Sequence, residues 1–561
     1  MTALPRGRAR DGLRRLARLL PRASDWTPAR RSPARDLLAG LTVAIVALPL
    51  ALAFGVASGL GAEAGLVTAV VAGAIAAVFG GSNVQVSGPT GAMTVVLLPV
   101  VHSHGVDGVL QVGIMAGVML LALAVSGAGR HVRLLPSSLI EGFTAGIAVV
   151  IALQQVPNML GLVPGDQEKV WALAWDAVLR FAQAPDPVPL AIAIGVAAVI
   201  VLGSRWRPAI PFSLLAVIVA TLVIRLPGIE VPVIGPLASV VPVPTLGFFD
   251  PGRIGELVPS ALAVAALAAL ESLLCATVAD AMSVGERHDP DRELFGQGLA
   301  NLAAPVFGGV PATAAIARTA VNVRSGARSR LASLFHAAVL AAVMVVASPL
   351  VGGIPLAALG GVLLATTIQM VDFGSIATLA RATRPDAAVL AITFAVTVAI
   401  DLVSAVAIGL GVAVLLGLRS VARSARLEQV PLDADGADTT AEEHALLVQH
   451  IVAYRLDGPL FFAAAHRFLL ELTQIAAVDV VILRMSRVST MDASGAAMLD
   501  DAIARLEHRG IVVLLSGIRP GHDRILGRLG VGARLQAAGR IFPDTPAAIG
   551  HARELLALGG G

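Results

Sequence analysis

Phe79 to Val96 reads FGGSNVQVSGPTGAMTVV. It lies among apolar segments, yet it is interrupted. Gly80, Gly81, Gly88 and Gly91 crowd around Pro89, and Ser82, Asn83, Gln85, Ser87 and Thr90 are polar. Pro89 has no N–H to donate and biases Gly88 away from the helical region. The apolar residues after it can make a short helix that begins inside a bilayer. Such a beginning aims unpaired N–H groups and the positive end of a dipole into the protein, which suits an anion. Broken backbone at that depth is tolerated only where protein buries it or a wet cavity receives it.

The device recurs. Phe307 to Arg318 reads FGGVPATAAIAR. AAVFGG (Ala76 to Gly81) is nearly repeated as APVFGG (Ala304 to Gly309), and GPTGA (Gly88 to Ala92) is answered by VPATA (Val310 to Ala314). Two interrupted hydrophobic segments in matching places of two halves mark the binding site of a transporter built from repeats. Gly and Pro breaks are common in membrane helices, but matching flanks on both weigh against coincidence.

Of the 561 residues, 56% are hydrophobic and 14% charged, with mean hydropathy +0.82. A soluble domain carries about 25% charged residues, so most of this chain is expected in a membrane. The single cysteine, Cys275, excludes an intrachain disulfide and a thiolate metal cluster. The net charge of +3 is no sign of nucleic acid. Met1 to Arg35 holds ten arginines against Asp11 and Asp25, a topology signal that assigns the N-terminus to the cytoplasm. A secretory signal is not expected, because the first long apolar run starts near Leu37.

Apolar segments follow at Asp36–Ser58, Ala64–Phe79, the broken Val86–Val101, Val109–Gly127, Ser138–Pro157, Pro189–Leu202 and Pro208–Ile224. A Pro-rich stretch, Leu226 to Pro251, separates them from Pro259–Val284, Glu293–Val306, the broken Ala312–Val323, Leu331–Leu350, Leu356–Met370, Asp386–Ile400 and Leu402–Leu418. Seven and seven segments insert in opposite orientations, so the two half-helices are expected to face each other from opposite sides. The expected division is a basic N-terminal segment (1–35), a membrane domain (36–426, repeats 36–225 and 257–418), a polar linker (427–443) and a small α/β domain (444–561). In the last, Leu446–Leu456, Val478–Met485 and Ile511–Ser516 read as strands. Ala463–Ile475, Ser494–His508 and Ala547–Leu558 read as helices.

Glu271 stands in AVAALAALESLLCATVAD, and a carboxyl at membrane depth is a functional-site hypothesis that suits a proton carrier. Cys275 lies one turn away, as a possible contact or as small packing. Arg318, past the second break, is either a fixed charge for an anion or for Glu271, or a snorkelling arginine. Glu141 is expected to tie its segment to a neighbour, Gln154, Gln155 and Asn158 to bond between helices, Asp280 to be structural and Asp401 to cap. The sequence holds no nucleophile with base and orienter, no P-loop, no GxSxG and no metal-ligand cluster. Neither an enzyme nor a cofactor is expected, and uphill transport must then draw on ion gradients or exchange. Backbone donors near Gln85, Thr90, Gly91, Ala92 and Met93, and near Thr313, Ala314, Ala315 and Ile316, are the expected anion ligands. In the small domain, Ser494 of VSTMDASGAAML opens a helix, as a cap or a phosphorylation point.

These words resemble the SulP anion transporter family. The marks are Asp36 to Gly59, VQVSGPTGAMTVV (Val84 to Val96), LESLLCATVADAMSVGERHDPDRELFGQGLAN (Leu270 to Asn301), GGVPATAAIARTAVNVRSGARS (Gly308 to Ser329) and the terminal MDASG. The terminal domain resembles STAS domains. The resemblance implies an all-α membrane domain of inverted seven-segment repeats, divided into core and gate, and a homodimer in the inner membrane with the STAS domain cytoplasmic. It implies an anion held between the third and tenth segments, with Glu271 and Arg318 in the positions of the family's acidic and basic residues. Sodium-coupled bicarbonate members are similar but carry Asp, a hydroxyl and no arginine where this chain has Glu271, Cys275 and Arg318. Sulfate, bicarbonate and C4-dicarboxylate are the implied substrate classes, with proton coupling or exchange ahead of sodium coupling or an uncoupled channel. In related antagonist proteins the phosphorylated serine falls on Ser494, with Ala493 where a serine precedes it.

Overall fold

The computed structural model describes residues 18–130, 136–165, 167, 169–207, 210–226, 229–237, 242–283, 287–400, 402–424, 426–429, 450–461 and 478–559. The chain divides into two compact units, at Leu410/Gly411.

The first unit is helical. Its first half comprises α1 (Pro33–Ala57), α2 (Ala62–Phe79), α3 (Gly91–Ser126), α4 (Ser137–Met159), α5 (Val170–Gln183), α6 (Pro187–Trp206) and α7 (Phe212–Val223). Its second half comprises α8 (Ile254–Met282), α9 (Pro290–Val306), α10 (Ile316–Arg324), α11 (Arg330–Val346), α12 (Leu356–Met370), α13 (Phe373–Ala382), α14 (Arg384–Ala399) and α15 (Leu402–Ser424), the last running across the division. Among the described residues, seven helices are long and apolar enough to cross a membrane, and shorter apolar ones accompany them. α3 contains two of the expected segments. Gly105, at φ 68° and ψ −167°, breaks it where only glycine is at ease. The element order then repeats: each half has two helices, a half-helix, another helix, and a further helix followed by an amphipathic one, α5 or α13. Neither amphipathic helix was expected from the hydropathy.

Packing separates two bundles. α1, α2, α3, α8, α9, α10 and α11 pack on one another, as do α4–α7 with α12–α14. Small residues set the first bundle's spacing. A Cβ on Gly65 would lie 2.0 Å from the Ala51 carbonyl oxygen, and one on Gly296 2.5 Å from the Gly80 nitrogen. The Pro-rich stretch binds back: Ile234 N–H donates to Ile354 O (3.0 Å) and Thr245 N–H to Val306 O (2.8 Å).

The second unit holds an α/β sheet. β3 (Arg426–Gln429) pairs antiparallel with β4 (Ile451–Leu460), which runs parallel to β5 (Val480–Arg484); β7 (Val512–Ser516) and β8 (Ile541–Phe542) continue the sheet, and β6 (Val488–Met491) pairs with β4. Thus the expected linker begins as a strand, because Leu427 to Gln429 find an edge to pair with; residues 430–443 lie outside the described set. The helices are α16 (Ala493–His508), α17 (Pro520–Arg528), α18 (Val531–Ala537) and α19 (Thr545–Gly559). Leu499, Ile503 and Leu506 are buried on one face of α16. The expected helix Ala463–Ile475 and the cap Asp401 lie outside the described residues.

Candidate functional site

The two breaks meet. Ser87–Gly88 and Thr313–Ala314 form a two-stranded antiparallel sheet, β1 and β2, with Ser87 opposite Ala314 and Gly88 opposite Thr313. Each strand feeds a helix: α3 starts at Gly91 and α10 at Ile316. The caps, Thr90 and Ala315, make no side-chain capping bond. Orphan first-turn amides are therefore left at both starts.

α10 begins four residues later than expected. Asn301 holds Ala312 by both groups, its Oδ1 accepting from the amide and its Nδ2 donating to the carbonyl, each at 2.8 Å. Strand pairing then keeps Thr313 and Ala314 extended. The Ala314 amide donates to Ser272 Oγ (3.2 Å) and the Ala315 amide to Val86 O (2.9 Å). Those two donors are engaged within the protein. The open first-turn amides at this end belong to Ile316 and its successors, and Ile316 is 45% exposed.

Glu271 of α8 reaches the crossing. Its Oε2 accepts from Thr90 Oγ1 at 3.0 Å, and it is half-buried. Ser272 beside it shares a hydrogen bond of 2.9 Å with Thr313 Oγ1 and accepts from Gln85 Nε2 through its carbonyl, also at 2.9 Å. Cys275 Sγ donates to Thr319 Oγ1 (3.2 Å), which accepts from the Val86 amide (3.0 Å). Cys275 thus supports the loop and stands one layer behind the helix starts. Gly91, Ala92 and Met93 are buried, and a Cβ on Gly91 would lie 2.3 Å from Ile151 Cδ1 of α4. The other bundle therefore covers this start.

Arg318 is 1% exposed and lies in the first turn of α10, not a turn and a half along it. Its Nη2 donates to the Pro89 carbonyl, and its Nη1 approaches Gly88 so closely that a Cβ there would stand 2.6 Å away. It is no snorkelling arginine; it bolts one broken segment to the other.

A second layer of polar side chains was not singled out from the sequence. Glu293 Oε2 accepts from the Gly81 (2.8 Å) and Ser82 (3.3 Å) amides, Gln297 donates to Ser87 Oγ (2.7 Å), Asn322 to Val84 O (2.8 Å) and Ser333 to Gln85 O (2.7 Å). Glu293, Gln297 and Asn301 follow at intervals of four, one helical face of polar residues. That spacing was the available signal. Buried backbone must find partners, and here side chains of the second half supply them to the first.

Elsewhere, Asp280 receives His288 Nδ1 at 2.7 Å, a structural link. Glu141 makes no hydrogen bond among the described residues; Ser138, bonded to Asp386 at 3.1 Å, joins α4 to α14 instead. Asn158 donates to Gln155 at 3.1 Å within its own helix. In the second unit Asp492, not Ser494, caps α16, accepting from the Gly495 amide at 2.6 Å; Ser494 is exposed in the first turn.

Paired half-helices inside a multi-pass helical unit define a membrane transporter architecture. The comparisons give it a family: residues 34–393 match the Sulfate permease family and residues 445–548 the STAS domain, so the chain is a membrane anion transporter belonging to the sulfate permease (SulP) family. It is 33% identical over 511 residues to the "Putative sulfate transporter YvdB" of Bacillus subtilis, covering 89% of this chain and 94% of that protein. It is 30% identical to the "Bicarbonate transporter BicA" of Picosynechococcus, covering 83% and 86%. The solved transmembrane domain of a cyanobacterial BicA matches 67% of this chain and 97% of its own, with TM-score 0.62 and 31% identity. The murine Solute Carrier 26 family member A9 anion transporter shares the fold, with TM-score 0.80, 18% identity and 99% and 96% coverage.

Proposed function

We propose that this protein is a secondary active transporter of a small oxyanion or carboxylate, working by alternating access in the inner membrane as a proton-coupled symporter or an exchanger. The observation that carries this reading is the β1–β2 crossing, which brings two uncapped helix starts together beside Glu271. The first-turn amides and dipoles hold the anion, each charge-assisted bond contributing about 1.5–3 kcal/mol. Glu271, on Thr90 at the first start, couples binding to a proton. Arg318 supplies positive charge from behind the strands and keeps the crossing closed. Relatives named for sulfate and bicarbonate support these substrate classes, with C4-dicarboxylate as a further member. A homodimer and a cytoplasmic STAS domain complete the proposal, with Ser494 as its regulatory position.

Uptake into proteoliposomes of sulfate, bicarbonate and a C4-dicarboxylate, with and without an inward proton gradient, tests it. One of these anions is expected to saturate and to accumulate uphill with the gradient. Glu271→Gln is expected to remove the gradient dependence and leave anion binding. Gradient-driven uptake unchanged in that variant would end the proposed role of Glu271. Flux that neither saturates nor runs uphill would favour a channel.

A further inference from the structure

We propose that the first unit carries a second anion site, distinct from the helix starts, that takes a phosphate-bearing ligand, either a soluble organic phosphate or a lipid headgroup. A cavity of about 680 Å³ is lined by Arg18, Arg22, Arg287, Arg292, Arg328 and Arg330. Its aspartates do not balance them. Asp25 is bound to Arg292 at 2.5 Å, Asp280 receives His288, and Asp289 caps α9 by accepting from the Asp291 (3.1 Å) and Arg292 (3.2 Å) amides. Arg18, Arg22, Arg287 and Arg328 are exposed, and their guanidinium groups make no ion pair among the described residues.

Arg292 and Arg330 belong to the same lining and are buried, at 6% and 2% exposed, so the four exposed guanidinium groups stand beside two further cations that water screens little. Arginine forks match phosphate oxygens in pairs, and basic pockets at helix ends receive anionic headgroups. The volume lies within the range of small-molecule sites and far exceeds one inorganic oxyanion.

The place gives the site a consequence. Gly81 to Val84, the lead into β1, forms one wall; Val323 to Arg328, at the far end of α10, forms another. A ligand here grips the outer ends of the two broken segments whose inner ends form the proposed transport site. Its occupancy sets how readily those segments move, and so the rate of transport. Binding itself does not rest on the transport reading.

The test uses the full chain in detergent, with pyrophosphate as the soluble probe, and in nanodiscs of phosphatidylcholine with or without phosphatidylglycerol. Pyrophosphate is expected to bind saturably and raise the thermal midpoint. Arg287→Gln with Arg328→Gln, two exposed positions, is expected to weaken that binding at least tenfold without lowering the ligand-free midpoint. A midpoint raised by phosphatidylglycerol alone, and lost in the double variant, assigns the site to a headgroup. An excess of the transported anion is expected to leave pyrophosphate binding unchanged; competitive displacement shows that the probe reads the transport site and overturns the proposal. It is equally overturned if neither probe responds to the arginine pair.

Discussion

Arg318 shows how a residue's role depends on its backbone. A cation three residues into a helix is normally a poor complement to the dipole. Here it is retained because the Pro89 carbonyl, which no strand partner reaches, accepts from it. Gly88 is the other half of this arrangement. Gly88→Ala would drive a methyl to within 2.6 Å of the guanidinium, and it is expected to displace it and reduce uptake at least tenfold, with the protein still inserted. Asn301→Ala leaves both polar groups of Ala312 unpaired. It is expected to lower stability by ~1–3 kcal/mol, read as a lower thermal midpoint in detergent. The presence of Glu271 and Arg318 was legible, since charge in an apolar run is conspicuous. Their partners Thr90 and Pro89 were not, because each lies more than 180 residues away.

At the scale of elements, close helix contacts carry the first bundle. Gly65→Ala would force α1 and α2 apart, its Cβ meeting Ala51 O at 2.0 Å and Gly55 Cα at 2.8 Å. The expected cost is ~1–3 kcal/mol. Gly195→Ala, on α6 with nothing within 4 Å, is the control and is expected to be neutral or slightly stabilising. Thermal unfolding of the two variants separates contact from composition. Hydropathy located the spanning helices because it averages over a turn or more. It passed over α5 and α13 for the same reason. Asp176 and Arg180 on one face of α5 dilute Trp171 and Trp175 on another, so the average resembles a loop.

For the whole molecule, the described residues ahead of α1 are tied to α9 through Asp25, which pairs with Arg292. Burial alone would raise its carboxyl, but the Arg292 side chain, the Arg22 amide and the charge of Arg330 hold it below the usual 3.8. A depressed carboxylate stabilises fully above its ordinary value and ceases to as pH falls through the lowered one. Limited proteolysis ahead of α1 is therefore expected to quicken only below about pH 4, and Asp25→Asn to quicken it already at pH 7. Deleting residues from Glu443 onward is expected to leave residual uptake in proteoliposomes, because both helix starts lie within the first unit. Complete loss of flux with correct insertion would instead place the STAS domain inside the transport cycle.

Residue order alone makes it legible that the chain enters a membrane, that two segments break at matching places, and that one acid and one arginine stand near them. Hydropathy, Gly/Pro chemistry and a repeated word are local properties, and they survive without coordinates. Which amides remain open depends instead on packing in three dimensions. Thr313, Ala314 and Ala315 were expected as a helix start, but strand pairing and Asn301 keep them extended, and α10 opens at Ile316. Hydrogen-bond partners come from whichever groups packing brings within about 3 Å, and no local pattern records a meeting of residues from opposite halves of the chain.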